Sequence, residues 1–507
     1  MSNHLFDGLF GNVDTEAVFA MLPDGSQRTY GDVLAISARY ANVLADWGIK
    51  PQDRVAVQVP KSIEAVILYI ACVRLGAVFL PLNTAYTASE VGYFAADSGA
   101  KLLICDPSNV DGYAPVGDDC GCRIESLGEP LNGPAAAGSL VSQAQAAAAS
   151  FHNVSRGSDD LAAILYTSGT TGRSKGAMLS HDNLLSNSRA LSNLWEFSNS
   201  DVLLHALPIF HTHGLFVAVN VTLLSGGSMI FLSGFKLDSM IEYLPRSTCM
   251  MGVPTFYTRL LDDPRFTRDL VAHMRLFVSG SAPLLAETHV QFEERTGHRV
   301  LERYGMTETN MNTSNPYDGE RRPGTVGFAL PGTEVRICDP DSGEQVATGE
   351  VGMIEVAGPN VFAGYWNMPE KTAVEFREDG FFITGDLGRF DEDGYLHIVG
   401  RNKDLIISGG LNIYPKEIEL VLDDQPGVLE SAVIGVPHPD FGEAVVAVIV
   451  PQTDDLEVAA VEEGIKPHLA RFKHPKLVSV MDALPRNTMG KVQKNVLREQ
   501  FQGTFSL

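Results

Sequence analysis

The chain is predicted to be an α/β protein: a large N-terminal domain of parallel-rich sheets covered by helices, a small β-rich subdomain, and a smaller α+β domain at the C-terminal end. Three observations predict this. Its 507 residues exceed what one hydrophobic core usually organises, so two or more domains are expected. From Asp53 onward, short apolar runs alternate with longer helical segments, and repeated strand–helix–strand units form parallel sheets that helices must cover. Beyond Pro331 the apolar runs shorten and glycine punctuates them, which is the pattern of a compact β subdomain.

The elements follow in order. Residues 54–59, Arg-Val-Ala-Val-Gln-Val, read as a strand, and 62–75 as a helix with Ser62 placed to cap it. Residues 77–81 give the next strand, 90–98 a helix and 101–105 a further strand. The stretch 112–150, with alanine runs and scattered glycine and proline, reads as a variable surface connection with room for one helix at 140–149. Strands at 201–204, 228–232, 275–278 and 299–301, with helices between them, repeat the earlier style. The β-rich subdomain runs to about residue 399, and strands at 431–436 and 444–451 belong to a separate C-terminal unit. The domain boundary is placed at 401/402, giving 1–401 and 402–507. No internal repeat of solenoid length is evident.

Composition narrows the function. Hydrophobic residues at 45% and charged residues at 20% are ordinary for a globular enzyme. With 38 basic against 62 acidic residues the net charge is −24, which argues against nucleic acid or an anionic membrane surface as partner. The apolar stretch 63–80 contains Glu64 and Arg74 and reads as a buried helix running into a strand, not as a membrane span. Six scattered cysteines suggest a reducing compartment, and Cys120-Gly-Cys122 lacks the partner cluster of a metal site. The first residues have neither the basic segment nor the apolar core of a secretory leader, so a cytoplasmic protein is expected.

Four short blocks carry chemistry. In Tyr166-Thr-Ser-Gly-Thr-Thr-Gly-Arg-Ser-Lys175, glycines allow backbone N–H groups to approach phosphate oxygens, hydroxyls add donors, and Lys175 supplies a cation. The spacing Gly-x-x-Gly-x-x-Lys differs from that of a Walker loop. Tyr304-Gly-Met-Thr-Glu308 offers a ring to stack on a base, a hydroxyl for phosphate, and a carboxylate. One carboxylate suffices for Mg²⁺, which takes few protein oxygens beside waters and phosphates. Thr384-Gly-Asp386 with Gly400-Arg401, and Pro485-Arg-Asn-Thr-Met-Gly-Lys491, complete the set. Arg173, Lys175, Arg401 and Lys491 concentrate positive charge that the acidic chain otherwise lacks.

Taken together, these blocks resemble the acyl-adenylate-forming (AMP-binding) superfamily, which includes acyl-CoA synthetases, peptide-synthetase adenylation domains and luciferases. The resemblance covers nearly the whole chain, with the blocks in family order. It implies ATP, Mg²⁺ and coenzyme A as the small molecules handled, and a mobile C-terminal domain. Thr167, Ser168, Gly169, Thr170, Thr171, Gly172 and Lys175 match the pyrophosphate loop. Ser279-Gly280-Ser281-Ala282 matches the segment lying against adenine, although a plain strand-to-helix turn fits the same residues. Tyr304, Gly305 and Thr307 would contact the nucleotide and Glu308 the metal. The resemblance also implies that Asp386 accepts from the ribose hydroxyls, that Arg401 lies near ribose and phosphate, and that Lys491 bridges carboxylate and α-phosphate. Asp404 sits at the family's hinge, and Ser408-Gly409-Gly410 would flank the path of the thiol. Acetylation of Lys491 by a lysine acetyltransferase would neutralise it.

The acid is less directly encoded. Leu207-Pro-Ile-Phe-His211-Thr-His213-Gly resembles the family's acyl-site block, and it has no aspartate to hold a substrate amine. Arg259 and Arg303 fall near positions that line the pocket, where His211 and Met306 also belong. A guanidinium fork matches a carboxylate bidentately, so either arginine could hold the far carboxylate of a small diacid. A surface or ion-paired position would account for each arginine equally well. This region is most similar to malonyl-CoA and methylmalonyl-CoA synthetases. The alternative is a coenzyme A ligase for an aromatic or medium-chain monocarboxylic acid.

Overall fold

A computed structural model describes residues 2–11, 13–128, 138–167, 174–408, 411–439, 441–453, 456–469, 471–487 and 490–505. The chain divides into two compact units. The first holds Met1–Glu334 with Val356–Phe382, and the second Val335–Glu355 with Ile383–Leu507.

Two parallel-rich sheets build the first unit. One runs, in spatial order, Arg123–Ser126, Leu102–Cys105, Arg54–Gln58, Val78–Pro81, Leu161–Thr167 and Lys175–Ser180. Its strands are parallel except for the last pair, a hairpin. The other follows the order Phe328–Ala329, Asn310–Ser314, Leu301–Met306, Leu276–Ser279, Cys249–Gly252, Val202–His205, Ser228–Phe231, Val18–Met21 and Gln27–Thr29. It is parallel from Leu301 to Val18 and antiparallel at both edges. Helix Ile63–Leu75 starts where expected: the Ser62 side chain accepts from the amide of Ala65, and Gly76 closes it in the left-handed conformation (φ 73°). All thirteen of its residues are buried, Glu64 and Arg74 included, which explains the greasy stretch. Among the described residues no helix is long and apolar enough to cross a membrane.

Three expectations need correction. Residues 112–150 are not simply a surface connection: helix Val110–Cys120 and strand Arg123–Ser126 lie there, and the strand forms the sheet edge beside Leu102–Cys105. Tyr113 and Val116 bury themselves to cover that edge. The helix expected at 140–149 is only Ser139–Ala144. The strand at 299–301 runs instead as Leu301–Met306, because an antiparallel partner, Asn310–Ser314, extends its ladder.

The second unit contains most of a four-stranded sheet, Glu334–Cys338, Gly352–Ala357, Phe382–Phe390 and Leu396–Arg401. A five-stranded sheet follows, built on the long hairpin Val428–His438 with Gly442–Pro451.

Candidate active site

In the first unit the hairpin Leu161–Thr167 and Lys175–Ser180 pairs Thr167 with Lys175. The loop between them, with Ser168, Gly169, Thr170, Thr171, Gly172 and Arg173, lies outside the described residues. Its stems are tied down. Tyr166 donates to Asp97 Oδ2 at 2.5 Å, and Tyr93 donates to the carbonyl of Ser174 at 3.0 Å.

Lys175 Nζ stands 3.2 Å from Glu375 Oε1 and 4.1 Å from the centre of the Tyr365 ring. The Tyr365 hydroxyl lies 2.7 Å from Glu375 Oε2 and 3.0 Å from Glu308 Oε1. Lysine, tyrosine and two glutamates, scattered over some two hundred residues of sequence, therefore form one chain of contacts. Glu308 is buried, and that burial, opposed by Tyr365 and Lys175, raises its carboxyl above the usual range. Glu375 is held below its usual range: burial opposes ionisation, but Lys371, Tyr365 and Lys175 together outweigh it. Sequence reasoning missed Tyr365 and Glu375. The only signal was the i,i+4 spacing of Lys371 and Glu375, which reads as an ordinary surface pair.

Glu308 sits in the turn between Leu301–Met306 and Asn310–Ser314, with Tyr304 buried and Met306 and Thr307 half-buried beside it. The ladder register breaks between Tyr304 and Gly305. A Cβ on Gly305 would lie 1.9 Å from the carbonyl oxygen of Asn310. Gly305→Ala is therefore expected to cost about 1–3 kcal/mol through overpacking and to displace the Glu308 turn. Thermal melts beside wild type check this; an unchanged melting temperature with full activity contradicts it. Glu308 fits Mg²⁺ as a single buried carboxylate with one hydroxyl neighbour. No cluster of three or more ligating side chains exists among the described residues, so the remaining ligands would be phosphates and water.

A second group gathers behind the strand Leu276–Ser279. Ser279 is buried, Ala282 is half-buried, and Ser281 has the uncommon φ of 71°. A Cβ on Gly280 would lie 2.4 Å from the guanidinium carbon of Arg303, so glycine here lets the arginine pass underneath. Arg303 is 4% exposed, and its Nε and Nη2 have no hydrogen-bond partner among the described residues. Burial pulls it down to about 9, and it remains a cation at neutral pH. His213 is buried, with Nδ1 3.3 Å from Ser281 Oγ and Nε2 without a partner among the described residues. Burial, then the charge of Arg303, holds it well below the usual imidazole range. His211, also with an unpartnered Nε2, is pushed down to about 4 by burial. This group thus presents one buried cation and two imidazoles whose protonation burial disfavours, an arrangement suited to a carboxylate.

Arg259 lies elsewhere. On helix Pro254–Leu261 the buried face is Phe256, Tyr257 and Leu260, so Arg259 faces outward, over the Phe235 ring at 5.7 Å. That helical spacing was readable in the sequence.

In the second unit Asp386 pairs with Arg401 across a hairpin, with Arg401 Nε 2.9 Å from Asp386 Oδ1. Lys491 follows a tight turn closed by Asn487, whose side chain accepts from the Lys491 amide at 2.9 Å. The side chain is open to solvent, but protein crowds the ammonium. That desolvation, with the charge of Arg401, pushes it down to about 8 against the pull of Asp386. Asp404 is 2.6 Å from Arg498 Nη2. Burial opposes ionisation of Asp404, but this contact holds it below its usual range. Ser408 ends the strand Ile406–Ser408; Gly409 and Gly410 lie outside the described residues.

Residues 10–366 match the model of the AMP-binding enzyme family, and 417–491 that of the AMP-binding enzyme C-terminal domain. The chain is similar to ATP-bound MatB from Rhodopseudomonas palustris, with 57% identity, a TM-score of 0.97 and complete coverage of both chains. It is 37% identical to a feruloyl-CoA synthase of Amycolatopsis over 485 residues, covering 94% of each chain. It is also 34% identical to the malonate–CoA ligase of Arabidopsis thaliana over 560 residues, covering 99% of this chain and 91% of that one.

Proposed function

Because the chain belongs to the AMP-binding enzyme family, we propose that it is an AMP-forming acid–thiol ligase that joins malonate, and also methylmalonate, to coenzyme A. The observation that carries the choice of acid is the buried Arg303, near His213 and without partners at Nε and Nη2 among the described residues.

In the first half-reaction one carboxylate of malonate attacks the α-phosphorus of ATP. A P–O bond forms, the bond to the β-phosphate oxygen breaks, and pyrophosphate leaves with malonyl-AMP behind. Arg303 holds the far carboxylate, and Met306 lines the pocket. Thr167, Ser168, Thr170, Thr171 and Lys175 bind the leaving phosphates. Ser279, Gly280, Ser281, Ala282 and Tyr304 cradle the adenine, with Gly305 giving the backbone its close approach. Thr307 reaches phosphate, and Asp386 and Arg401 hold the ribose. Glu308 would hold Mg²⁺, which when bound neutralises phosphate charge. Lys491 bridges the attacking carboxylate and the α-phosphate. In the second half-reaction the thiol sulfur of coenzyme A attacks the acyl carbon and AMP leaves. Here 1–401 acts as the nucleotide- and acyl-binding domain and 402–507 as a lid turning about Asp404. The turn withdraws Lys491 and brings Ser408, Gly409 and Gly410 beside the pantetheine arm. The reaction is placed in the cytoplasm, and acetylation of Lys491 by a lysine acetyltransferase would switch off its first half.

A pyrophosphate-exchange panel of acids tests this. Malonate is expected to turn over readily, with acetate and hexanoate poor, because a buried polar site rejects a substrate that leaves it unpaired by a factor of up to about 10⁴–10⁵. Equal rates with acetate remove the diacid reading and leave the ligase. A preference for ferulate or another aromatic acid moves the assignment to the monocarboxylic ligases, for which the feruloyl-CoA synthase relative speaks.

A further inference from the structure

Near the start of the helical segment His213–Val219 lies a half-buried lysine that the reaction does not use. Lys61 occupies the short link between strand Arg54–Gln58 and helix Ile63–Leu75. His205 is the last residue of strand Val202–His205 in the other sheet. Lys61 Nζ is 2.8 Å from His205 Nδ1 and 2.9 Å from the His205 carbonyl oxygen, and it stands 4.4 Å from the centre of the Phe231 ring. It makes no ion pair with a carboxylate among the described residues. Lys61 is half-buried, and an ammonium packed among protein atoms without a counter-charge is costly, so desolvation pulls it well below the usual range.

The contacts of His205 fix its protonation pattern. Its Nε2 lies 2.8 Å from the carbonyl oxygen of Gly214. A carbonyl only accepts, so Nε2 must carry the proton. A neutral ring has one proton, which leaves Nδ1 as an acceptor and makes Lys61 the donor. Burial, then the positive charge of Lys61, keeps this ring neutral. Gly214 directly follows His213 in that helical segment, and a Cβ there would lie 2.0 Å from the carbonyl oxygen of Pro208, so the segment has no slack. Ser281 Oγ lies 3.3 Å from His213 Nδ1, and His213 Nε2, without a partner among the described residues, remains available to a ligand in the field of Arg303.

We propose that Lys61 is a positioning residue for acid binding: it locks His205 as the Nε2–H tautomer, and His205, through the Gly214 carbonyl, holds the start of the helical segment His213–Val219, which presents His213 to the distal carboxylate. Neither Lys61 nor His205 touches the substrate. The residues belong to both sheets of the first unit and meet at the C-terminal ends of their strands, the edge where open α/β sheets bind ligands. The inference rests on the malonate reading only for the identity of the acid.

The tests separate the two. Lys61→Met is expected to raise KM for malonate about tenfold, the loss of one well-made hydrogen bond, while KM for ATP stays within about twofold. Lys61→Arg, which keeps a donor, is expected to recover part of the loss. His205→Gln keeps an N–H able to reach Gly214 but discards the Nδ1 acceptor, so adding Lys61→Met to it is expected to change KM for malonate by less than about twofold. Multiplying effects in that double variant, or equal rises in both KM values, overturn the proposal. Independently of any substrate, ¹⁵N NMR of histidine-labelled wild-type protein, with the His205 signal assigned through His205→Gln, reads the tautomer. The Nε2–H form supports the relay and the Nδ1–H form ends it, even if Lys61→Met fails to fold. Wild-type protein that ignores malonate but shows the Nε2–H form removes the substrate reading and leaves the relay.

Discussion

Arg303→Met is expected to abolish the preference for malonate while leaving the protein at least as stable as wild type. Truncating one partner of a buried charge pair costs about 2–5 kcal/mol, which lowers kcat/KM for malonate by roughly 30- to 4,000-fold. Most of it falls on KM, because the distal carboxylate is held alike in ground state and transition state. Stability moves the other way. Nε and Nη2 of Arg303 lack hydrogen-bond partners among the described residues, and replacing a buried charge with an apolar side chain of similar volume is often neutral or stabilising. Arg303→Lys is expected to rescue only partly, since an ammonium cannot match a carboxylate with a planar fork. Arg259→Ala is the control: an exposed residue over Phe235, it is expected to change kcat/KM by no more than about twofold. Steady-state kinetics with malonate and acetate, beside thermal melts, decide the matter. Retained malonate use by a folded Arg303→Met protein rejects the assignment.

Why these two arginines looked alike in the sequence is instructive. Arg259 lies on an amphipathic helix whose buried positions are 256, 257 and 260, so a period of 3.6 turns it outward. Arg303 lies on a strand buried on both faces, from Leu301 through Tyr304, where the period of two carries no information about direction. The parallel sheets were legible for the same reason: a doubly covered strand is an apolar run, and Arg54–Gln58 and Leu102–Cys105 stand where such runs occur. Residues 112–150 were misread because alanine, glycine and proline dilute the helical pattern of Val110–Cys120. Nucleotide-facing candidates were legible as short blocks, since glycine and hydroxyl residues cluster in sequence when a loop must wrap phosphate. Tyr365, Glu375, His205 and Lys61 were not. Each is a single side chain whose role depends on partners far along the chain, and no local pattern reports such a meeting.

Lys491→Ala is expected to stop the first half-reaction and spare the second. Its ammonium lies in the second unit near Arg401, Asp386, Lys403 and Asp404, so within that unit the lysine and the proposed ribose carboxylate are neighbours. Removing one donor aimed at developing charge lowers the rate by about 10²–10³ or more. Pyrophosphate exchange with malonate should fall by that factor, whereas thioester formation from supplied malonyl-AMP and coenzyme A should proceed near the wild-type rate. Equal failure of both halves ends the division of labour between the two conformations. The pH dependence follows from the same group. Because desolvation and Arg401 lower its pKa to about 8, the charged form is present below that value and lost above it. The kcat/KM for adenylation in the free enzyme should therefore decline as pH rises through about 8. The thioester step, which does not use this charge, should keep its rate there. Lys491→Arg separates charge from shape. A guanidinium stays charged through this range, so the alkaline decline should vanish from whatever adenylation that variant retains, because the limb belongs to the proton on residue 491 and not to the acid, the nucleotide or the fold.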